Sequence, residues 1–473
     1  MVKGPQIKHS VANVDGIEVF YRENGPKDSL PVLLLHGFPS ASHQYRRLME
    51  ALGTSYRFIA PDYPGFGRTE APEGFTYTFD NLAAVVHGFV RKLGLRRFAL
   101  YMFDFGAPVG FRLAQLDPHA VAGLIVQNAN AYDDGLSATA RHFILDATAD
   151  EIRRDLLTLQ ATKSQYLDGA ADVARIDPDN WTLDQHFLDL PGRQDAQVDL
   201  ALDYKSNLAE YPRWQAWMRE HQPPALVVWG RGDQIFMEAG AHAYLRDLPS
   251  AELQLFDTGH FALEEGLPEI APLLARFLDR VSIMKIAVIG GTGRLGGAIV
   301  REAVSRGHDV TPLGSTDVDV TEPVSIRGVV ANHDAVVASV KGSGALVAKG
   351  AQALLAANVG RLVFVGGGAS LRRPSGEMFI ESPGFPAQFL STAQDQVEAL
   401  RILRASDTDT EWSYVSPPPV HLVDGPRTGV YRVATDDEPV VGEATISVAD
   451  LAVAVVDAVE RRTFVGQRFT VGY

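Results

Sequence analysis

Apolar residues fall along the chain in two alternating rhythms. In the short runs "PVLLLHG", "RFIAPD", "RFALYMF" and "VAGLIVQNAN" nearly every position is apolar, which reads as strands buried on both faces. "IEVFYRE" reads as a strand with one polar face, and "LAAVVHGFVRKLG" repeats its apolar positions at helical spacing. This alternation predicts a mostly parallel sheet covered by helices. The rhythm breaks over residues 131–218, where "ATADEIRRDLLTLQAT" and "LALDYKSNLAEYPRWQAWMREH" read as helices and no strand is evident. Strands return at "PALVVWG" and "ELQLFD", and "PEIAPLLARFLDR" closes with a helix. A helical insertion late in a parallel sheet predicts a lid over the carboxyl ends of its strands.

A second start follows at Met284, in "MKIAVIGGTGRLGG". From there "HDVTPLG", "DAVVASV", "RLVFVGG" and "TEWSYVSP" read as strands with helices between them. The fold class is therefore α/β throughout. The expected domains are a core formed by residues 1–130 and 219–283, a helical cap over 131–218, and a separate Rossmann-like parallel-sheet domain over 284–473. The junction "DRVSIM" has no Pro, Gly or charge run, so the halves are expected to touch rather than swing on a flexible tether.

Composition narrows the picture. At 473 residues the chain exceeds one ordinary domain, and 46% hydrophobic with 21% charged residues suits large buried cores. A net charge of -15 argues against a nucleic-acid or anionic-membrane partner. The chain has 0 cysteines, which excludes disulfides and thiolate metal sites, and no metal is expected. The opening "MVKGPQIKHS" lacks the apolar core of a signal peptide, and no apolar run reaches the roughly 18 residues of a membrane span. A cytoplasmic location is expected, and a homodimer is left open.

Chemistry enters at "YMFDFGAPVG", where a strand, a sharp turn and a helix surround Asp104. With "LLLHGFPS", "DYPGFGRTE", "WGRGD" and "DTGHFALEE" in this order, residues from about 15 to 280 resemble the α/β-hydrolase superfamily. One departure is Met102, which stands where a first glycine is commonest in the turn. The resemblance implies Asp104 as nucleophile, Asp233 as orienting acid and His260 as base. It also implies an oxyanion hole from the backbone N–H groups of Phe38 and Phe105. His36 is read as structural.

An aspartate nucleophile is similar to that of epoxide hydrolases and haloalkane dehalogenases. A carboxylate attacks a saturated carbon and leaves an alkyl-enzyme ester, which a His-activated water then hydrolyses. An epoxide oxygen needs a proton donor, and a halide needs N–H donors. Phe105 has no side-chain donor where dehalogenases commonly carry Trp. Tyr204 of "DYKSNLAEYPRW" is the first proton-donor candidate and Tyr166 the second, with Trp181 a candidate halide donor. The reading is an epoxide-opening hydrolase acting on a small hydrophobic substrate. Carbon–halogen or ester/lactone hydrolysis stays open as the alternative.

In the second half, "IAVIGGTGRLGGAIV" sets Gly290, Gly293 and Gly296 between a strand and a helix, a variant of the dinucleotide fingerprint. The stretch from Gly290 through Thr292, Gly293, Arg294, Leu295 and Gly296 is expected to cradle a pyrophosphate. Gly314, Ser315 and Thr316 follow the second strand where an acid would favour NAD. These small residues and Arg294 favour NADP, with NAD the alternative. With "RLVFVGGGASL", "WSYVSPPPV", "GPRTGVYR", "ISVADLAVAVVDAVE" and "RFTVGY", residues 284–473 resemble atypical short-chain dehydrogenase/reductases of the NmrA-like and NADH–flavin reductase kind. The usual Tyr-x-x-x-Lys pair is missing, and Phe389 stands where relatives often offer a tyrosine. The chain as a whole reads as a bifunctional fusion. The rival reading is an oxidoreductase or cofactor sensor in which the hydrolase half only binds substrate.

Overall fold

The computed structural model describes residues 6–27, 29–342, 344–373, 375–419, 422–435 and 445–473. Residues 1–5 of the opening stretch and Val420 of "WSYVSPPPV" lie outside these. The chain divides into two compact units, Met1–Ser282 and Ile283–Tyr473.

Among its described residues the first unit has eight strands: β1 (Lys8–Val14), β2 (Ile17–Asn24), β3 (Pro31–Leu35), β4 (Arg57–Pro61), β5 (Phe98–Phe103), β6 (Val121–Gln127), β7 (Ala225–Gly230) and β8 (Glu252–Phe256). They lie in the order β1-β2-β4-β3-β5-β6-β7-β8. The β1–β2 and β2–β4 pairings are antiparallel and the others parallel. Central strands bury both faces, as their continuous apolar runs require. Leu33, Leu35 and Met102 pack into one core layer, while Leu34, Tyr101 and Phe103 pack into the other.

Between β6 and β7 the chain forms five α-helices and no strand: Ala138–Leu145, Ala149–Leu156, Leu159–Leu167, Asp179–Leu188 and Arg193–His221. Thr148, Thr158 and Ser137 cap three of them by accepting backbone N–H groups, which ends each connecting loop at a defined residue. The longest packs Trp214, Trp217 and Met218 into the core.

The second unit carries β9 (Lys285–Ile289), β10 (Asp309–Leu313), β11 (Ala335–Ala338), β12 (Arg361–Val365), β13 (Glu411–Ser416), β14 (Leu422–Val423), β15 (Arg432–Thr435), β16 (Ile446–Ser447) and β17 (Gln467–Gly472). Seven form a sheet in the order β10-β9-β11-β12-β13-β17-β15, parallel except where β15 meets β17. Its order reverses beside β9, the switch point where doubly wound sheets bind ligands. Among the described residues no helix is long and apolar enough to cross a membrane.

Candidate active site

Asp104 follows β5 at the start of the helix Gly106–Leu116, with φ of +49°. A non-glycine residue at positive φ is strained, and here the strain lifts the carboxylate out of the strand end. Gly106 makes the turn feasible, since a Cβ there would lie 2.3 Å from the Leu35 carbonyl oxygen of the neighbouring strand. Met102 fits because the helix carries glycine opposite it: a Cβ on Gly110 would lie 2.5 Å from the Met102 sulfur. The small residue missing at 102 is thus supplied from the facing element.

The Asp104 side chain is buried, at 5% exposure. Its Oδ1 accepts the Phe38 N–H at 2.6 Å, and the Phe105 N–H also bonds to the carboxylate. Its Oδ2 lies 3.8 Å from His260 Nε2, too long for a hydrogen bond. His260 Nδ1–H donates to Asp233 Oδ2 at 2.8 Å, which fixes the tautomer and turns the Nε2 lone pair toward Asp104. Nε2 is buried and has no hydrogen-bond partner among the described residues. Burial raises the Asp104 carboxyl to about 6, against the pull of His260 and the two backbone donors. Burial opposes charge on His260 most strongly of the single causes, but the charge and hydrogen bond of Asp233 together with the charge of Asp104 outweigh it. The imidazole pKa therefore ends above its ordinary value. The arrangement provides a carboxylate with one oxygen held in a donor pocket and the other bare, beside an oriented base.

Asp233 is itself held from three sides. Its Oδ1 accepts the N–H groups of Ile235 and Phe236 at 2.8 and 3.1 Å, and its Oδ2 also accepts from Asn128 Nδ2 at 2.8 Å. Asn128, at φ +42°, was not among the expected site residues. The signal was an Asn just past a buried strand, a residue that tolerates the left-handed region and bonds loops. His36 is structural as read: its Nε2 accepts the Tyr63 N–H at 3.2 Å, and burial lowers its pKa to about 4.

Of the two candidate tyrosines, Tyr204 reaches this group. Its ring centroid is 5.7 Å from that of Phe105 and 5.5 Å from that of Phe79. Its hydroxyl is buried, neighbours that of Tyr211, and makes no hydrogen bond of standard geometry among the described residues. Burial, then Tyr211 and Asp104, raise its pKa well above the usual tyrosine value, so it stays protonated. The Tyr166 hydroxyl is committed elsewhere, donating to Asp184 at 2.6 Å, while its ring stacks on Phe261. Asp184 in turn pairs with His43 at 2.9 Å. Helical spacing alone did not separate these two tyrosines. Trp181 packs edge-on against Tyr166, with centroids 6.2 Å apart.

In the second unit the glycine turn joins β9 to the helix Arg294–Ser305. Gly290 has φ of +81°, and a Cβ on Gly296 would lie 2.0 Å from the Gly290 oxygen, so the turn and the first helical turn touch backbone to backbone. The N–H groups of Arg294, Leu295 and Gly296 open the helix and have no intrahelical acceptor. That cradle, after Thr292 and Gly293, fits the pyrophosphate of a dinucleotide. Ser315 and Thr316 are exposed beyond β10, near Gly314. Two facts count against a phosphate at this place. Arg294 pairs with Asp424, and the Asp317 carboxylate, passed over in the sequence, accepts the Gly314 N–H at 2.7 Å. Phe389 is 51% exposed on the helix Ala387–Ala405.

Comparison with known proteins agrees with both halves. Residues 31–267 match the family model for the alpha/beta hydrolase fold, and residues 290–462 match that for NAD(P)H-binding domains. An uncharacterized hydrolase of Saccharomyces cerevisiae, YNR064C, is 38% identical over 272 residues, covering 56% of this chain and 94% of that protein. Haloalkane dehalogenase 2 of Mycobacterium tuberculosis is 41% identical over 98 residues, 21% of this chain and 34% of its own. The crystal structure of haloalkane dehalogenase DbeA from Bradyrhizobium elkani superposes with a TM-score of 0.50 at 22% identity, covering 58% of this chain and 99% of that one. At that identity the likeness concerns the fold. The chain belongs to the α/β-hydrolase family and carries, fused behind the hydrolase, an NAD(P)H-binding domain.

Proposed function

We propose that the first unit opens epoxides through an alkyl ester on Asp104. The observation that carries this reading is the buried Tyr204 hydroxyl beside the aromatic wall of the Asp104 carboxylate, kept protonated by burial and neighboured by the Tyr211 hydroxyl. Asp104 Oδ2 attacks an epoxide carbon as the C–O bond breaks, and the Tyr204 O–H protonates the departing oxygen. Oδ1 is then the ester carbonyl oxygen, already bonded by the Phe38 N–H, with the Phe105 N–H also close to the carboxyl. Water, losing a proton to His260 Nε2, adds to the carbonyl carbon, and the negative charge collects on Oδ1 in that pocket. On collapse the alkoxide carrying Oδ2 leaves and takes the proton of the added hydroxyl, giving the diol and the Asp104 carboxylate, and the proton on His260 returns through solvent to the Tyr204 phenolate.

Carbon–halogen cleavage is the less supported reading. A departing halide needs N–H donors, whereas the side chains of Phe38 and Phe105 carry none. In the second unit, Arg294, Leu295 and Gly296 would hold the pyrophosphate of a nicotinamide dinucleotide, which when bound supplies a transferable hydride. The Asp317 carboxylate favours an unphosphorylated ribose, hence NAD(H). The test of the first unit is His260→Gln incubated with 4-nitrostyrene oxide. Trapped adduct on the Asp104 peptide, found by mass spectrometry, supports the reading, and an unmodified Asp104 under conditions of wild-type turnover refutes it.

A further inference from the structure

The helical segment between β6 and β7 also touches the loops beside the Asp104 site. Its loop Asp168–Asp172, which follows the helix Leu159–Leu167, packs against both loops that carry catalytic candidates. Gly169 has φ of +77°, and a Cβ there would lie 1.7 Å from the Gly232 carbonyl oxygen, next to Asp233. A Cβ on Gly232 would lie 2.0 Å from the Gly169 oxygen, and one on Gly259, next to His260, would lie 3.1 Å from the Asp168 oxygen. These backbones meet with no side chain between them. One buried carboxylate locks the contact. Glu265, 3% exposed on the helix Ala262–Ser282, accepts the Ala171 and Asp172 N–H groups on Oε1 at 2.9 and 3.1 Å. Its Oε2 accepts the Gly259 N–H at 2.7 Å. Glu265 therefore bridges the cap loop to the residue before His260.

We infer that residues 168–172 form a strap that sets where His260 sits, with Glu265 as its positioning residue. This rests on the ester route proposed above and adds a division of labour to it. Ester formation uses Asp104 and Tyr204, which are held by other elements: the turn after β5 and the helix Arg193–His221. Ester hydrolysis uses His260 Nε2 and Asp233, whose loops the strap touches. Loosening the strap slows the second step and spares the first.

The test is Glu265→Gln in the full chain. A glutamine amide accepts on one side only and turns its NH2 toward an N–H donor on the other, so it breaks one arm of the bridge at nearly constant volume. With 4-nitrostyrene oxide and rapid quenching, the mass adduct on Asp104 is followed through its rise and decay. Decay is expected to slow about 10- to 100-fold, the scale of an ångström-sized misplacement, with the rise unchanged within about twofold. Gly169→Ala, which displaces the strap from the cap side, is expected to give the same split. Adduct in the unaltered chain with equal slowing of both steps, or of neither, overturns the strap alone. Absence of adduct in the unaltered chain overturns the ester route and the strap with it. Failure of both variants to fold makes the strap a folding support and also overturns its positioning role.

Discussion

Replacing Asp104 with Asn is expected to abolish turnover and stabilise the protein. The carboxyl is raised from 3.8 to about 6, with burial as the largest cause. At about 1.4 kcal/mol per unit, holding this group ionised in the fold costs about 3 kcal/mol. An amide has no charge to desolvate, and Asn tolerates the φ of +49° found here. Its oxygen can still accept the Phe38 and Phe105 N–H groups. The sign sets the pH window. Below 3.8 the carboxyl is neutral in both folded and unfolded chains, so the two proteins should melt alike. Between 3.8 and about 6 the folded state holds the proton more tightly, and wild-type stability falls as pH rises. Above that range the full difference remains. Calorimetry should show the variant melting roughly 4–8 °C higher at pH 8, with the gain shrinking toward pH 4. An equal or lower melting temperature at pH 8, or a gain independent of pH, would refute the reasoning.

Tyr204→Phe keeps the packing on Phe105 and removes the proton donor. It should slow adduct formation with 4-nitrostyrene oxide by about 10²–10³ while leaving adduct decay unchanged, as rapid-quench measurements would show. The kcat/KM profile of the wild type should fall on the acid side with an apparent pKa near 6, where Asp104 takes up its proton. A profile flat to pH 5 would contradict this. Gly296→Ala puts a Cβ 2.0 Å from the Gly290 oxygen and should abolish NADH binding measured by fluorescence titration. Asp317→Asn should tighten NADPH binding by about tenfold or more while changing NADH binding little, because it removes a carboxylate that would repel an extra phosphate.

The alternation of apolar runs carried most of the architecture, because strands buried on both faces and amphipathic helices have periods that survive in one dimension. β1 was missed: "KHSVANV" is polar on one face, and its signal was the turn Asp15–Gly16, both at positive φ, which folds it onto β2 as a hairpin. At the site, Asp104, Asp233 and His260 were legible because each sits at a strand end inside a recognisable motif. Asn128, Glu265 and Asp317 were not, since their roles depend on backbone N–H groups or side chains brought close only by folding. Tyr204 stood ahead of Tyr166 through the resemblance of its stretch, and helical spacing did nothing to separate them. Their difference lies in partners, Asp184 for one and Tyr211 for the other, and neither shows in helical spacing.

The central claim is that Asp104 donates an oxygen atom to the product. One turnover with enzyme in excess over 4-nitrostyrene oxide, in water enriched in heavy oxygen, measures this directly. The account requires the first diol to carry ordinary oxygen, with the label left in the Asp104 carboxylate. Heavy oxygen in all of the first-turnover diol would mean that water attacks the substrate itself and that no ester forms.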